Sequence, residues 1–153
     1  MTSAPIAQQR LLIDLQDLDS HLARLRHERK HLPVLTRIEA VIERLKANKR
    51  AAIQAEAALD EAKKQATRSE DEVGQVARRA EVLRERLHSG TSAARDLSAI
   101  QGEIDQLGQR QSALEEAQIV AMEALDSARQ EAERLSQEEA EIRAAGRELT
   151  AKR

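Results

Sequence analysis

The chain has 153 residues, 34% of them charged, and it contains no Phe, Tyr, Trp or Cys. Aromatic side chains supply much of the buried area of globular cores, so their absence argues against an ordinary globular domain and favours a thin helical seam. The formal net charge of −2 argues against nucleic-acid binding over the whole surface. Without cysteine, neither a disulfide nor a thiolate zinc site can form within these residues.

The N-terminal sequence does not have the pattern of a secretory signal. Its first ten residues contain no basic segment followed by an apolar core. No apolar stretch of the chain approaches the length of a membrane span, about 18 residues. We therefore expect a soluble, cytoplasmic protein without a membrane partner.

The first predicted element is a helix over about residues 8–32, here called helix A. Its leucines recur at spacings of three and four residues, which places them on one face of the helix. Six leucines form this face: Leu11, Leu15, Leu18, Leu22, Leu25 and Leu32. Only Arg29 interrupts the pattern.

Pro33 marks a predicted joint. Proline removes a backbone donor and clashes with the preceding turn. The heptad phase also changes here, because the first pattern would continue at Thr36 whereas the next run begins at Ile38. The two signals predict a kink or break at Pro33, followed by helix B over about residues 34–88.

Two long runs of mostly apolar residues predict the rest of the fold. The first run contains Ile38, Val41, Leu45, Asn48, Ala52, Ala55, Leu59, Ala62, Ala66, Ser69, Val73, Val76, Ala80, Leu83 and Leu87. The second contains Leu97, Ile100, Ile104, Leu107, Gln111, Leu114, Gln118, Ala121, Leu125, Ala128, Ala132, Leu135, Glu139, Ile142, Gly146 and Leu149. A period of about 3.5 residues sustained this long is typical of a left-handed coiled coil.

The segment between the two runs leaves room only for a chain reversal. The predicted fold class is therefore all-α: a single coiled-coil domain over residues 1–153, built as a long antiparallel helical hairpin with a Pro-kinked N-terminal helix. The middle of the seam is rich in alanine, which buries little area. We therefore expect the leucine-rich end near the turn to be the most stable part.

Polar residues at seam positions have two interpretations. They are Asn48, Gln111, Gln118 and Glu139. They either bind a partner or set the register of the helices, for which a seam asparagine is well suited. The alternative is that a narrow, partly solvated seam simply tolerates them.

The predicted turn comprises about residues 89–92. Gly90 can take the left-handed conformation that ends helix B. Thr91 or Ser92 can cap helix C, predicted over about residues 93–149, and Asp96 adds favourable charge near its start. This tip is also a candidate site for binding a protein partner, with helix reversal alone as the alternative. The candidate residues are Ser89, Gly90, Thr91, Ser92, Arg95 and Asp96.

Helix A has no partner when the two arms are paired outward from the turn, because helix C ends near Leu149, which faces about Val34. So regular an apolar stripe is not expected to stay exposed to water. Either the second arm continues in a longer protein, or helix A folds back on the hairpin, or two chains form a homodimer through it.

A basic cluster begins within helix A. Its members are Arg24, Arg26, Arg29, Lys30 and Arg37. They are candidates for contacts with phosphates of a nucleic acid. The alternative is that they face an acidic stretch absent from this chain.

The residues show no catalytic constellation, and a two-helix seam offers no concave pocket for a substrate, so an enzyme is not expected. His27 and His31 share a helix face and could hold a metal, but two imidazoles without a third ligand make a weak site. We expect no metal and no cofactor in this chain.

The sequence around the turn resembles a bacterial family. Leu87–Leu97 and Ile100–Ile104 are similar to the hairpin tip of C4-type zinc-ribbon proteins, whose N-terminal region is a long coiled-coil hairpin. The opening Gln8–Asp19 and the Leu32–Pro33 joint resemble actinobacterial members. Ala93–Ala94 depart from the family, which often has Ser-Pro there, and the four-cysteine ribbon is absent.

This resemblance implies a non-enzymatic adaptor or scaffold that binds protein partners, with a regulatory or chaperone-like role. It also implies a zinc ribbon after residue 153 in a full-length protein, of which this chain is a fragment, with zinc bound only there. Two alternatives stay open. One is a protein that binds RNA or DNA through the basic N-terminal helix and the missing ribbon, and the other is a structural dimerisation module.

Overall fold

The computed structural model describes residues 5–90 and 93–152. Helix α1 comprises Ile6–His88 and helix α2 comprises Ala94–Ala151. No strand occurs in this part of the chain, and the predicted all-α helical hairpin is confirmed. Neither of the two helices contains an apolar segment of the length that is needed to cross a membrane.

The predicted division of the first arm at Pro33 is wrong, because α1 continues through this residue as one helix. A proline within a helix removes one hydrogen bond and costs about 3 kcal/mol. A break would create two new helix ends, whose backbone groups have no partners within the helix. The Thr36 hydroxyl donates a hydrogen bond to the carbonyl of Leu32 at 3.0 Å. Helices A and B are therefore a single element, and a kink at Pro33 stays a prediction.

The helix ends lie close to the predicted positions. The Pro5 carbonyl accepts hydrogen bonds from the amides of Gln8 at 2.9 Å and Gln9 at 3.1 Å. The helix thus begins at Ile6, slightly before the predicted start. Helix α1 ends at His88 as predicted, and α2 extends slightly beyond Leu149, the predicted end of helix C.

The predicted seam matches the buried faces of the helices. Every seam position of the two long runs is buried or half-buried. Ala80 and Ile142 are 0% exposed and Leu83 is 1% exposed, and the polar Asn48 is 3% exposed. The spacing of about 3.5 residues therefore identified the buried face of each helix.

The packed residues divide into two compact units. The first unit comprises Met1–Lys49 and Glu138–Arg153. Within it, a Cβ atom added to Gly146 would lie 3.3 Å from Cγ1 of Val41. Because Gly146 has no side chain, α1 and α2 approach closely at this point.

The second unit comprises Arg50–Gln137. Leu83, Ile100 and Ile104 form its buried hydrophobic cluster, and Leu87 and Leu107 pack against them. This cluster lies at the leucine-rich end near the turn, where the sequence predicts the firmest packing.

Ion pairs lie on the surface of the second unit. Arg79 of α1 pairs with Glu103 of α2 at 3.1 Å, and both side chains are largely exposed. On α2, Arg134 lies 2.7 Å from Glu131, and its hydrogen bond lowers the pKa of the Glu131 carboxyl. Exposed pairs of this kind contribute little to stability, so the second unit depends mainly on its apolar seam.

Gly102→Ala and Gly108→Ala are expected to stabilise the protein. Both glycines lie within α2, and a Cβ added at either position would meet no atom within 4 Å beyond the adjacent residues and the local helix backbone. Alanine has the higher helix propensity, so each change is expected to raise the free energy of unfolding by about 1 kcal/mol. Urea denaturation followed by circular dichroism measures this effect.

Gly90→Ala is the matched control, because Gly90 has a φ of 68°. A residue with a Cβ is strained in this left-handed conformation, so this change is expected to lower the free energy of unfolding by about 1 kcal/mol. Equal effects of alanine at Gly90 and Gly102 would contradict both expectations.

Candidate interaction surfaces

The N-terminal part of α1 presents the six leucines of helix A to solvent. We name this face the leucine stripe; it comprises Leu11, Leu15, Leu18, Leu22, Leu25 and Leu32. Their exposed fractions range from 45% at Leu25 to 62% at Leu11. Leu12 and Ile13 are also more than half exposed and widen the apolar surface. The described residues thus leave this face of helix A exposed to solvent.

Polar and charged residues flank the leucine stripe on both sides. The turn of an α-helix, about 3.6 residues, places Asp19 and Arg26 along one flank and His21 and Glu28 along the other. All four are exposed. One flank therefore carries opposite charges at successive heptads, and the other carries an imidazole and a carboxylate.

The five basic residues considered for phosphate binding are all exposed. Helical geometry brings Arg26, Lys30 and Arg37 to one flank of the stripe and places Arg29 within the stripe, while Arg24 lies on the opposite side. Asp19 shares the flank of Arg26. The structure thus groups four of the five residues, and contact with phosphates stays a prediction.

The two histidines of helix A lie in contact. The ring centroids of His27 and His31 are 4.1 Å apart, with the rings edge to face. They line a shallow open groove with Glu28, Leu32 and Leu35. No group of three or more potential metal ligands occurs within residues 5–90 and 93–152. The zinc of a ribbon needs four cysteines, and this chain has none, so its residues do not fit that metal.

The tip residues within the described ranges are exposed. The Ser89 hydroxyl donates a hydrogen bond to the carbonyl of Arg86 at 2.8 Å. Gly90 has the predicted left-handed conformation. Arg95 and Asp96 lie in the first turn of α2 with exposed side chains. Thr91 and Ser92, with their predicted cap, lie outside the described residues.

A second apolar surface, absent from the sequence prediction, lies within the first unit. It is an open groove between α1 and α2, lined among others by Ile38, Val41, Ile42, Ile142 and Gly146. Ile42 lies outside the predicted seam and is 46% exposed. The only sequence signal for this groove is Gly146, whose missing side chain leaves space at a seam position.

Comparison with known proteins gives a family and two relatives. The model of a family described as "CT398-like coiled coil hairpin domain" matches residues 15–153. Two uncharacterized proteins of Mycobacterium tuberculosis, from strains CDC 1551 and H37Rv, are each 37% identical over 124 residues. Each alignment covers 78% of this chain and 49% of the relative. The chain thus spans about half the length of the curated relatives it matches. No solved structure matches the chain.

Proposed function

Since the chain belongs to the family of the CT398-like coiled coil hairpin domain, we propose that it is a non-enzymatic adaptor that binds protein partners. A coiled-coil hairpin domain fits a structural or adaptor role. We propose in addition that it is the interaction arm of a longer zinc-ribbon protein. The resemblance of its tip and of the Leu32–Pro33 joint supports this second statement.

The exposed leucine stripe is the observation that carries the proposal. Burial of one leucine side chain contributes about 1.5–3 kcal/mol, and the stripe holds six that the described residues leave exposed. Contiguous apolar surface of this kind marks sites of protein interaction. The flanking charges surround the apolar centre with a polar rim, as in protein–protein interfaces.

Leu22→Lys combined with Leu25→Lys is expected to abolish partner binding. Two charges in the middle of the stripe cannot be buried in an apolar interface without a large desolvation penalty. Chemical cross-linking in the native cells, followed by gel electrophoresis and mass spectrometry, measures all cross-linked protein products. We expect their yield to fall about tenfold or more, as for a residue central to an interface.

Ile119→Lys combined with Met122→Lys is the matched control. These residues have the same spacing on α2, and each is 57% exposed. The control is expected to cross-link like the unaltered protein. An unchanged yield in the stripe variant would contradict binding through the stripe. If Arg95→Ala with Asp96→Ala instead reduced the yield, the tip would be the binding site.

A further inference from the structure

We infer that the leucine stripe binds the leucine stripe of a second copy of this chain, in antiparallel orientation and in one register. This inference rests on the proposed role of the stripe as an interaction surface, and it names the partner. It is argued from the heptad positions of the stripe and from the charges on its two flanks.

The stripe consists of two alternating sets of heptad positions. Leu15, Leu22 and Arg29 form one set, and Leu18, Leu25 and Leu32 form the other. In an antiparallel pair of helices, residues of one set pack opposite residues of the other set of the second chain. When Leu22 faces the partner's Leu25, Leu15 faces the partner's Leu32. Two-fold symmetry repeats both contacts.

The charges on the flanks are complementary in this register. Antiparallel helices place each flank opposite the same flank of the second chain. Asp19 then lies beside the partner's Arg26, which pairs opposite charges. The Glu28 carboxylate lies beside the partner's His21, whose ring N–H can donate a hydrogen bond to it. Symmetry repeats each pair, so the interface contains four such contacts. These four side chains are all exposed in the single chain, so they are accessible for contacts with a second copy.

The neighbouring antiparallel registers are disfavoured. A shift of one heptad in one direction places Asp19 beside the partner's Asp19 and Asp14 beside the partner's Glu28. A shift in the other direction places Arg26 beside the partner's Arg26 and Glu28 beside the partner's Glu28. Like charges at these positions oppose association, so the flanks select one of three registers.

The parallel orientation is disfavoured by the same residues. In a parallel pair with equal register, Arg29 packs against the partner's Arg29 within the apolar seam. Asp14 then lies beside the partner's Asp19, which is a repulsive contact between the flanks. In the antiparallel pair, Arg29 instead packs against the partner's Leu18, and its long side chain can reach solvent.

Charge exchange across the flank tests the register. Asp19→Arg changes two attractive contacts into repulsive ones, and so does Arg26→Asp. Each single variant is expected to weaken dimerisation about tenfold, measured by sedimentation equilibrium over a range of concentrations. The double variant restores the attractive contacts with reversed sign, so its dimerisation is expected within about threefold of the unaltered chain. A double variant as weak as the single ones would overturn the register.

Cross-linking tests the orientation, because the chain contains no cysteine of its own. A mixture of Leu15→Cys and Leu32→Cys chains is expected to form the mixed disulfide. The Leu15→Cys chain alone is not, because the two substituted positions lie about 25 Å apart along an antiparallel pair, far beyond the reach of a disulfide. A disulfide dimer of Leu15→Cys without the mixed product would overturn the antiparallel orientation.

The failure of this inference can be distinguished from failure of the proposed function. A chain that sediments as a monomer at every concentration overturns the homodimer. A longer protein that stays monomeric while residues 1–153 alone dimerise would also overturn it, because a continuing second arm would then cover the stripe. If cross-linking in cells still depended on Leu22 and Leu25, the stripe would bind a different protein and the adaptor proposal would stand. If the chain neither dimerised nor formed cross-links that depend on Leu22 and Leu25, the stripe would not be an interaction surface.

Discussion

Leu83→Ala is expected to lower the free energy of unfolding by about 3 kcal/mol. Leu83 is 1% exposed and packs in the cluster that Ile100 and Ile104 complete. Removal of its side chain loses buried apolar area and leaves a cavity that two long helices cannot fully close. The effect is large because Leu83 and Ile142 are the largest fully buried side chains of the described residues.

Circular dichroism during urea denaturation measures this effect, since the chain has no Trp or Tyr whose fluorescence could report unfolding. Val82→Ala is the matched control, because Val82 is the preceding residue and is 47% exposed. The control is expected to change the free energy of unfolding by less than about 0.5 kcal/mol. Similar losses in both variants would contradict the assignment of the cluster as the centre of stability.

The seam could be predicted from the sequence because burial in a two-helix coil depends on spacing. Asn48, Gln111 and Glu139 illustrate this. Each is polar, yet each lies at a heptad position and is buried or half-buried.

The continuity of α1 at Pro33 could not be predicted from local rules. Proline and the phase change both favour a break, but they describe only a few residues. The outcome also depends on the long helical segments on either side, which would each need a new end at a break. The continuous helix keeps the hydrogen bonds that a break at Pro33 would remove from the backbone groups at these ends.

The exposure of the leucine stripe could be predicted, whereas its partner could not. The six leucines recur at heptad spacing on α1, and each is at least 45% exposed. A heptad pattern specifies which face of a helix is apolar, but it does not specify which chain covers that face. The charges at Asp19 and Arg26 carry the additional information, because they distinguish orientations and registers.

Ile142→Ala is expected to destabilise the first unit by about 2–4 kcal/mol. Ile142 is 0% exposed, and it lines the same groove as Val41 and Gly146. Gly146 contributes no side chain there, and Ile142 is the one buried residue among those that line the groove. Native-state hydrogen exchange measures the effect as a lower opening free energy for the amides around Ile142.

The side chains of a two-helix seam contact only the neighbouring layers, so the amides around Leu83 in the second unit are expected to keep their protection in the Ile142→Ala variant. Ile119→Ala is the control on the same helix, since Ile119 is 57% exposed and its truncation is expected to leave exchange unchanged. If protection fell equally around Ile142 and Leu83, the two units would unfold in one cooperative step. The loss of one buried side chain would then destabilise both units together, and the expectation of a local effect would be wrong.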